Sequence, residues 1–160
     1  MFNCPSSHSL AHCISADAKM SKGIAKQFVS NFPLICTLRG RRNTVGTAVV
    51  VPANNRFIYN LVSKQKYWMK PSLASLFSSL TSMYQHASQN GVYDISMPKI
   101  ASGCDGLDFE MHVLPMINSL FHGSSVSVHI FSCIAVSRYV LFFHLILRLP
   151  CDFSYVLGKV

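Results

Sequence analysis

The stretch SLAHCISADAKMSKGIAKQFVSNF, residues 9–32, contains the change of period that decides the fold. Ser9 to Ser15 is short and apolar enough for a buried strand. Beyond a polar connection, Ile24, Ala25, Phe28, Val29 and Phe32 share one face at helical spacing, which predicts a helix over Gly23 to Phe32. A strand followed by an amphipathic helix is the alternation from which layered α/β domains are built.

The alternation continues outward. A basic loop around Arg39-Gly40-Arg41-Arg42-Asn43 leads to Val45–Val51, a β-branched run that predicts a strand ended by Pro52 and the Asn54-Asn55 turn. Arg56 to Ser63 reads as the second strand of that hairpin. Pro71 opens a long predicted helix whose apolar set is Leu73, Leu76, Phe77, Leu80, Met83, Tyr84 and Ala87, stopped at Asn90-Gly91. Asp94 to Met97 is a short strand, and Ala101 to Asp108 a glycine-containing loop. Pro115 lacks an N–H and clashes with a preceding turn, so regular helix is expected from about Pro115 to Phe121, with Phe109 to Leu114 as an irregular lead-in. Val126, Val128 and Ile130 alternate with Ser127, His129 and Phe131 as a final strand. These elements predict a three-layer α/β/α domain around a mixed sheet, with ligands bound beyond the strand ends.

Composition sets limits on function. A chain of 160 residues, half of them hydrophobic and 12% charged, has room for one buried core and is not a disordered tail. A net charge of +8 suits an anionic partner without choosing among nucleotide, nucleic acid and membrane. Cys4, Cys13, Cys36, Cys104, Cys133 and Cys151 form no CxxC pair, so no zinc site, other metal or disulfide framework is expected. No apolar block of a secretory leader opens the chain. Between Arg138 and Arg148 lies an apolar stretch of nine residues, against the ~20 a spanning helix needs, so no membrane span is expected.

Several blocks resemble one family when taken in order: residues 9–15, then Asp17, Met20, Gly23-Ile24-Ala25 and Phe28; Tyr59 to Lys64 with Lys70-Pro71; Asn90-Gly91-Val92; Ser96-Met97-Pro98-Lys99-Ile100; and Gly103, Asp105, Leu107 and Glu110. The chain is similar over roughly residues 2–132 to macrodomains of the terminal ADP-ribose protein glycohydrolase group. The resemblance implies a hydrolase that removes ADP-ribose from glutamate and aspartate side chains of modified proteins and deacylates O-acyl-ADP-ribose. It implies that Lys64 attacks the distal ribose and that Asp105 helps resolve the adduct, with no cofactor. It also implies a monomer in the nucleus and cytoplasm, connected to purine nucleoside metabolism, with no specific nucleic acid partner.

The residue types make chemical sense. A deprotonated amine forms a Schiff base with a ring-opened sugar, and a nearby carboxylate shuttles the proton and positions water. Lys66 is the rival for Lys64, since a two-residue shift keeps the same strand face. Asp108 is the rival for Asp105, and either could be a turn former or helix cap. Gly23 and Ile24 begin a helix whose free N–H groups suit a phosphate, with Ala25 in the same turn. Ser102, Gly103 and Cys104 form a second loop where a glycine permits close approach. Ser15 and Ser63, at strand ends, complete the expected ADP-ribose contacts. His12 and Cys13 match a family strand beneath the pocket and are read as structural.

The family pattern begins with an extra strand ending in a Gly-Asp pair that contacts adenine, and this sequence starts just after it, at Met1-Phe2. Residues 1–132 are therefore read as a macrodomain without that first strand, and 133–160 as an apolar extension. Arg138 to Phe143 is β-prone and could cover the edge of the last strand; equally, the chain could be a truncated or alternatively spliced product. The competing functions are a non-catalytic ADP-ribose reader using the same loops, an inactive isoform, and a nucleic-acid binder using the basic surface. The aromatic residues fall mostly on core faces rather than on stacking platforms, which disfavours the last.

Overall fold

The computed structural model describes residues 1–103, 105–136 and 139–147, with side chains described as far as residue 132. Its strands are β1 (Ser9–Ser15), β2 (Ala48–Ala53), β3 (Arg56–Lys64), β4 (Asp94–Pro98), β5 (Ser127–Val136) and β6 (Tyr139–Leu147). Its α-helices are α1 (Gly23–Asn31), α2 (Leu73–Gln89) and α3 (Leu114–Phe121). The sheet order is β2-β3-β1-β4-β5-β6. β3, β1, β4 and β5 are mutually parallel, and β2 and β6 run antiparallel at the two edges.

Strand alternation divides the core into two. On one face Leu10, Ile14, Ile58 and Val62 pack with Phe28 of α1 and with Ile35 and Leu38 of a 3-10 helix, Pro33–Leu38. On the other, Ala11, Tyr59, Leu61, Ile95, Met97, Val128 and Ile130 meet Leu76, Leu80, Met83 and Ala87 of α2 and Ile117 and Phe121 of α3. This is the expected three-layer α/β/α arrangement. Each fully buried leucine, Leu80 for example, contributes roughly 1.5–3 kcal/mol.

Several boundaries differ from the sequence reading, each for a local reason. β2 begins at Ala48 because Thr47 N–H and Oγ1 both donate to the Thr44 carbonyl, making a turn. It then runs through Pro52, which an edge strand accommodates. Asn54 and Asn55 form the hairpin turn with φ of 45° and 62°, both left-handed as a type I′ turn requires. α2 starts at Leu73, with Pro71 outside it: Ser72 Oγ accepts from Ser75 N–H at 3.0 Å and Ser75 Oγ from Ser72 N–H at 3.2 Å, a reciprocal cap. Its core face is narrower than periodicity suggested, since Leu73 and Phe77 are 39% and 40% exposed. Ahead of α3, Phe109–Val113 is a π-helical turn, the irregular lead-in that Pro115 demanded.

The backbone of β6 pairs with β5 from Val136↔Tyr139 to Val128↔Leu147. Arg138 and residues 148–160 lie outside the described residues. Among the described residues no helix is long and apolar enough to cross a membrane.

Candidate active site

Because β1, β3 and β4 are parallel, their C-terminal ends open on one side of the sheet, and the segments leaving them converge there. Ser15 ends β1 and is in register with Lys64, which ends β3. The loop after β4 brings Asp105 back over that point, where Lys64 Nζ donates to Asp105 Oδ1. The two side chains are only 13% and 12% exposed, so the pair is partly withdrawn from water. Of the two candidate lysines, Lys64 is the one that meets this carboxylate; Lys66 stands beyond the strand end. Asp108 has another task, since its side chain accepts from Met111 N–H at 2.9 Å and caps the π-helical turn.

The loop joining β1 to α1 is held from three sides. Ser15 Oγ and Tyr67 N–H donate to the two oxygens of Asp17, tying the exits of β1 and β3 together. Partial burial works against that carboxylate's charge, but the donors from Ser15, Tyr67 and Lys19 and the charge of Lys66 outweigh it and hold Asp17 below its ordinary pKa. Asn43 Nδ2 donates to Ala16 O at 2.9 Å and Leu38 O at 3.0 Å, fixing the loop from beneath. The sequence reading missed Asn43, which sits among arginines in a stretch that reads only as a polar loop.

Backbone strain concentrates at the same place. Among the described residues, five non-glycine positions have positive φ, and two of them are the hairpin asparagines. The other three are Ala18, Met20 and Ala101, at 45°, 44° and 58°, all in the two loops that face Lys64. A left-handed alanine or methionine costs about 1 kcal/mol each, and buried side chains at all three positions hold the conformation in place.

Gly23, itself at φ 58°, opens α1 with Ile24 and Ala25 in the first turn. Lys22 at the N-cap gives no side-chain cap, so the first N–H groups are not taken up by a capping side chain. Ser102 lies in the second loop with its Oγ committed to Lys99 O at 2.7 Å, and Gly103 is exposed. Ser63 is fully buried, its hydroxyl turned toward the Ile14 carbonyl at 3.5 Å, beneath rather than on the open face. Cys104 lies outside the described residues.

His12 and Cys13 are part of the support. His12 is wholly buried and stacks on Phe28 with ring centroids 3.8 Å apart. Asn60 Nδ2 donates to two backbone carbonyls, so its Oδ1 accepts from His12 Nε2–H at 2.8 Å. That tautomer leaves His12 Nδ1, which has no partner among the described residues, as a bare acceptor rather than a stranded donor. Burial lowers the His12 pKa to about 4, so the ring is neutral. Burial, with the Asp105 charge adding to it, pushes the Cys13 thiol up to about 12, which leaves it protonated and a poor nucleophile.

No family model matches the chain. It is 36% identical over 132 residues to the ADP-ribose glycohydrolase OARD1 of Homo sapiens, covering 82% of this chain and 86% of that protein. Its identity to the Bos taurus protein of the same name is 35% over the same length. The fold is similar to the macrodomain of Mycobacterium tuberculosis DarG, with TM-score 0.73 and 22% identity over 79% of this chain and 90% of that one. It is also similar to a Trypanosoma brucei macrodomain solved in complex with ADP-ribose, with TM-score 0.63 and 13% identity over 81% of this chain and 60% of that one. Identity of this extent over most of both chains, with a fold that agrees, shows that the chain belongs to the macrodomain family, among its terminal ADP-ribose glycohydrolases.

Proposed function

We propose that this chain hydrolyses the ester linking ADP-ribose to glutamate or aspartate side chains of modified proteins, and deacylates O-acyl-ADP-ribose. The observation that carries the reading is the partly buried Lys64–Asp105 pair at the meeting point of three parallel strand ends. Lys64 Nζ, having given its proton to Asp105, attacks the anomeric carbon of the distal ribose and expels the protein carboxylate, which takes that proton from Asp105 and leaves it ionised. The sugar ring opens as a proton passes from the Lys64 nitrogen to the ring oxygen, leaving a protonated imine to Lys64. Asp105 then takes a proton from water as it adds to that imine; collapse of the adduct frees ADP-ribose and returns the amine.

The diphosphate fits the first turn of α1, at Gly23, Ile24 and Ala25, and the second loop at Ser102 and Gly103, where backbone N–H groups suit an anion. Lys19, Lys22, Lys66 and Lys70 on the segments leaving β1 and β3 add a basic rim. The test is release of ADP-ribose from a glutamate-modified protein by the parent chain and by Lys64→Ala. We expect loss on the order of 10⁴-fold in the variant, with ADP-ribose affinity changed less than about tenfold. Binding without release in the parent would make the chain a reader, and equal release by both would remove Lys64 from the mechanism.

A further inference from the structure

The opposite end of the sheet carries a second group of chemistry-bearing side chains. His8 immediately precedes β1, Asp94 opens β4 and His129 lies on β5. Register brings them together: Ser9 pairs with Ile95, Asp94 with Ser127, and Ser96 with His129. The two-residue period then gives Asp94 and Ser96 one face. One ring nitrogen of each histidine and one carboxylate oxygen of Asp94 all lie within 4.8 Å of one another. His129 Nε2 is 2.7 Å from Asp94 Oδ1, and the rings of His8 and His129 are 4.4 Å apart. Both histidines are buried, whereas Asp94 is only partly so and forms part of the wall of a groove of about 500 Å³ with Ser6, Ser7 and Tyr93.

We propose that His8, Asp94 and His129 bind a divalent transition-metal ion of the zinc type. Two imidazoles and a carboxylate are a zinc donor set that leaves a fourth position to water, with metal–ligand bonds of about 2.0–2.2 Å. Tetrahedral donors at such bond lengths stand roughly 3.3 Å apart, and the spacing of these groups, 2.7 Å between His129 Nε2 and Asp94 Oδ1 and within 4.8 Å overall, brackets that value. Nitrogen donors disfavour Mg²⁺ and Ca²⁺, which take oxygen. His8 Nδ1 lies 2.9 Å from Ser96 Oγ, a contact that sets its ring orientation as outer partners of metal-bound histidines do. Asp94 supplies one negative charge, and the positive charge of Arg56 also acts on His8, so the site is weaker than a closed four-ligand one. The groove beside Asp94 is the entry path. Among the described residues no cysteine joins the cluster, so cysteine spacing gave no sign of it.

The test uses the full chain, stripped with a chelator and titrated with Zn²⁺ by calorimetry and with Co²⁺ by absorption. We expect one equivalent bound with micromolar or tighter Kd, and a Tm raised by roughly 5 °C or more at a hundredfold excess over Kd. The Co²⁺ spectrum should show visible d–d bands without the near-ultraviolet charge-transfer band of a thiolate. His8→Gln, His129→Gln and Asp94→Asn should each weaken binding at least tenfold; Asp94, the least buried, decides the matter if a histidine variant does not fold. A thiolate band, undiminished binding in folded Asp94→Asn and His8→Gln, displacement by equimolar Mg²⁺, or no binding by the folded parent would each overturn the site.

Discussion

Where β1, β3 and β4 leave the sheet, Lys64 meets Asp105 across loops; where β1 and β4 enter it, His8 and Asp94 meet His129 on or beside the strands themselves. Both ends pair a carboxylate with a nitrogen group, but they are built differently. At the exit end, strands run into helices, so the segments leaving β1 and β4 carry left-handed residues and, at α1, helix N–H groups that no side chain caps. At the entry end, turns such as Asn54-Asn55 return the chain tightly, and register alone gathers the cluster. The exit end is thus suited to a ligand that makes backbone contacts and to chemistry on it. The entry end offers fixed side-chain donors and suits an ion.

The largest expected effect separates the two carboxylates. Asp105→Asn keeps the shape of the exit pair but removes the proton acceptor, and should lower ADP-ribose release by about 10²–10⁴-fold. Asp94→Asn, made at the far end, should leave release within about twofold of the parent. Steady-state release from a glutamate-modified protein measures both. Comparable losses in the two variants would mean that the ends are coupled through the sheet.

Between the ends lies His12, and its effect appears in stability rather than rate. Its folded pKa, about 4, is below the unfolded value of 6.5. The unfolded chain therefore binds the extra proton first as pH falls. Stability from this group is complete above pH 6.5 and is lost progressively down to about pH 4, amounting to about 3 kcal/mol. The His8 pKa is lowered as well, first by burial and then by His129, so it acts in the same direction. His12→Gln keeps an amide donor for Asn60 and does not titrate. Urea midpoints of this variant should vary less between pH 6.5 and 4 than those of the parent; an unchanged pH dependence would move the acid sensitivity elsewhere.

The two ends also differ in how far the sequence revealed them. Lys64 and Asp105 sit in blocks whose order resembles a family, and it is that resemblance that points to both ahead of Lys66 and Asp108. A short apolar run marked β1, as a strand buried on both faces does, and alternation marked the start of β5, which continues past the expected end at Phe131 to Val136. That the backbone ahead of α3 is irregular was legible through Pro115, a residue with few conformational options; its π-helical form was not. The metal cluster was not legible: its members are separated by most of the chain, and only parallel register unites them. Asn43 was hidden for a similar reason, since its partners are carbonyls of Ala16 and Leu38 that no side-chain pattern marks. Ser63 marks the opposite limit: it lies at a strand end as expected, but its hydroxyl faces inward.

The smallest expected effect compares one substitution at both ends. Asn55 and Ala101 have nearly the same left-handed backbone, with φ of 62° and 58°. Asn55→Gly removes the cost at the hairpin and yields the preferred Asn-Gly turn, so stability should rise by a few tenths to about 1 kcal/mol. Ala101→Gly relieves a similar strain of about 1 kcal/mol, but it also deletes the methyl group of a residue only 5% exposed, worth roughly 0.8 kcal/mol. Its net change should therefore fall within about 0.5 kcal/mol of zero. Function should divide them the other way. Glycine at 101 loosens the loop that carries Asp105, so release should fall severalfold, whereas Asn55→Gly leaves it alone. Denaturation midpoints and release rates on the same two variants give all four numbers. Equal release by both would show that the left-handed loop residues at the exit end hold the fold and contribute nothing to the placement of Asp105.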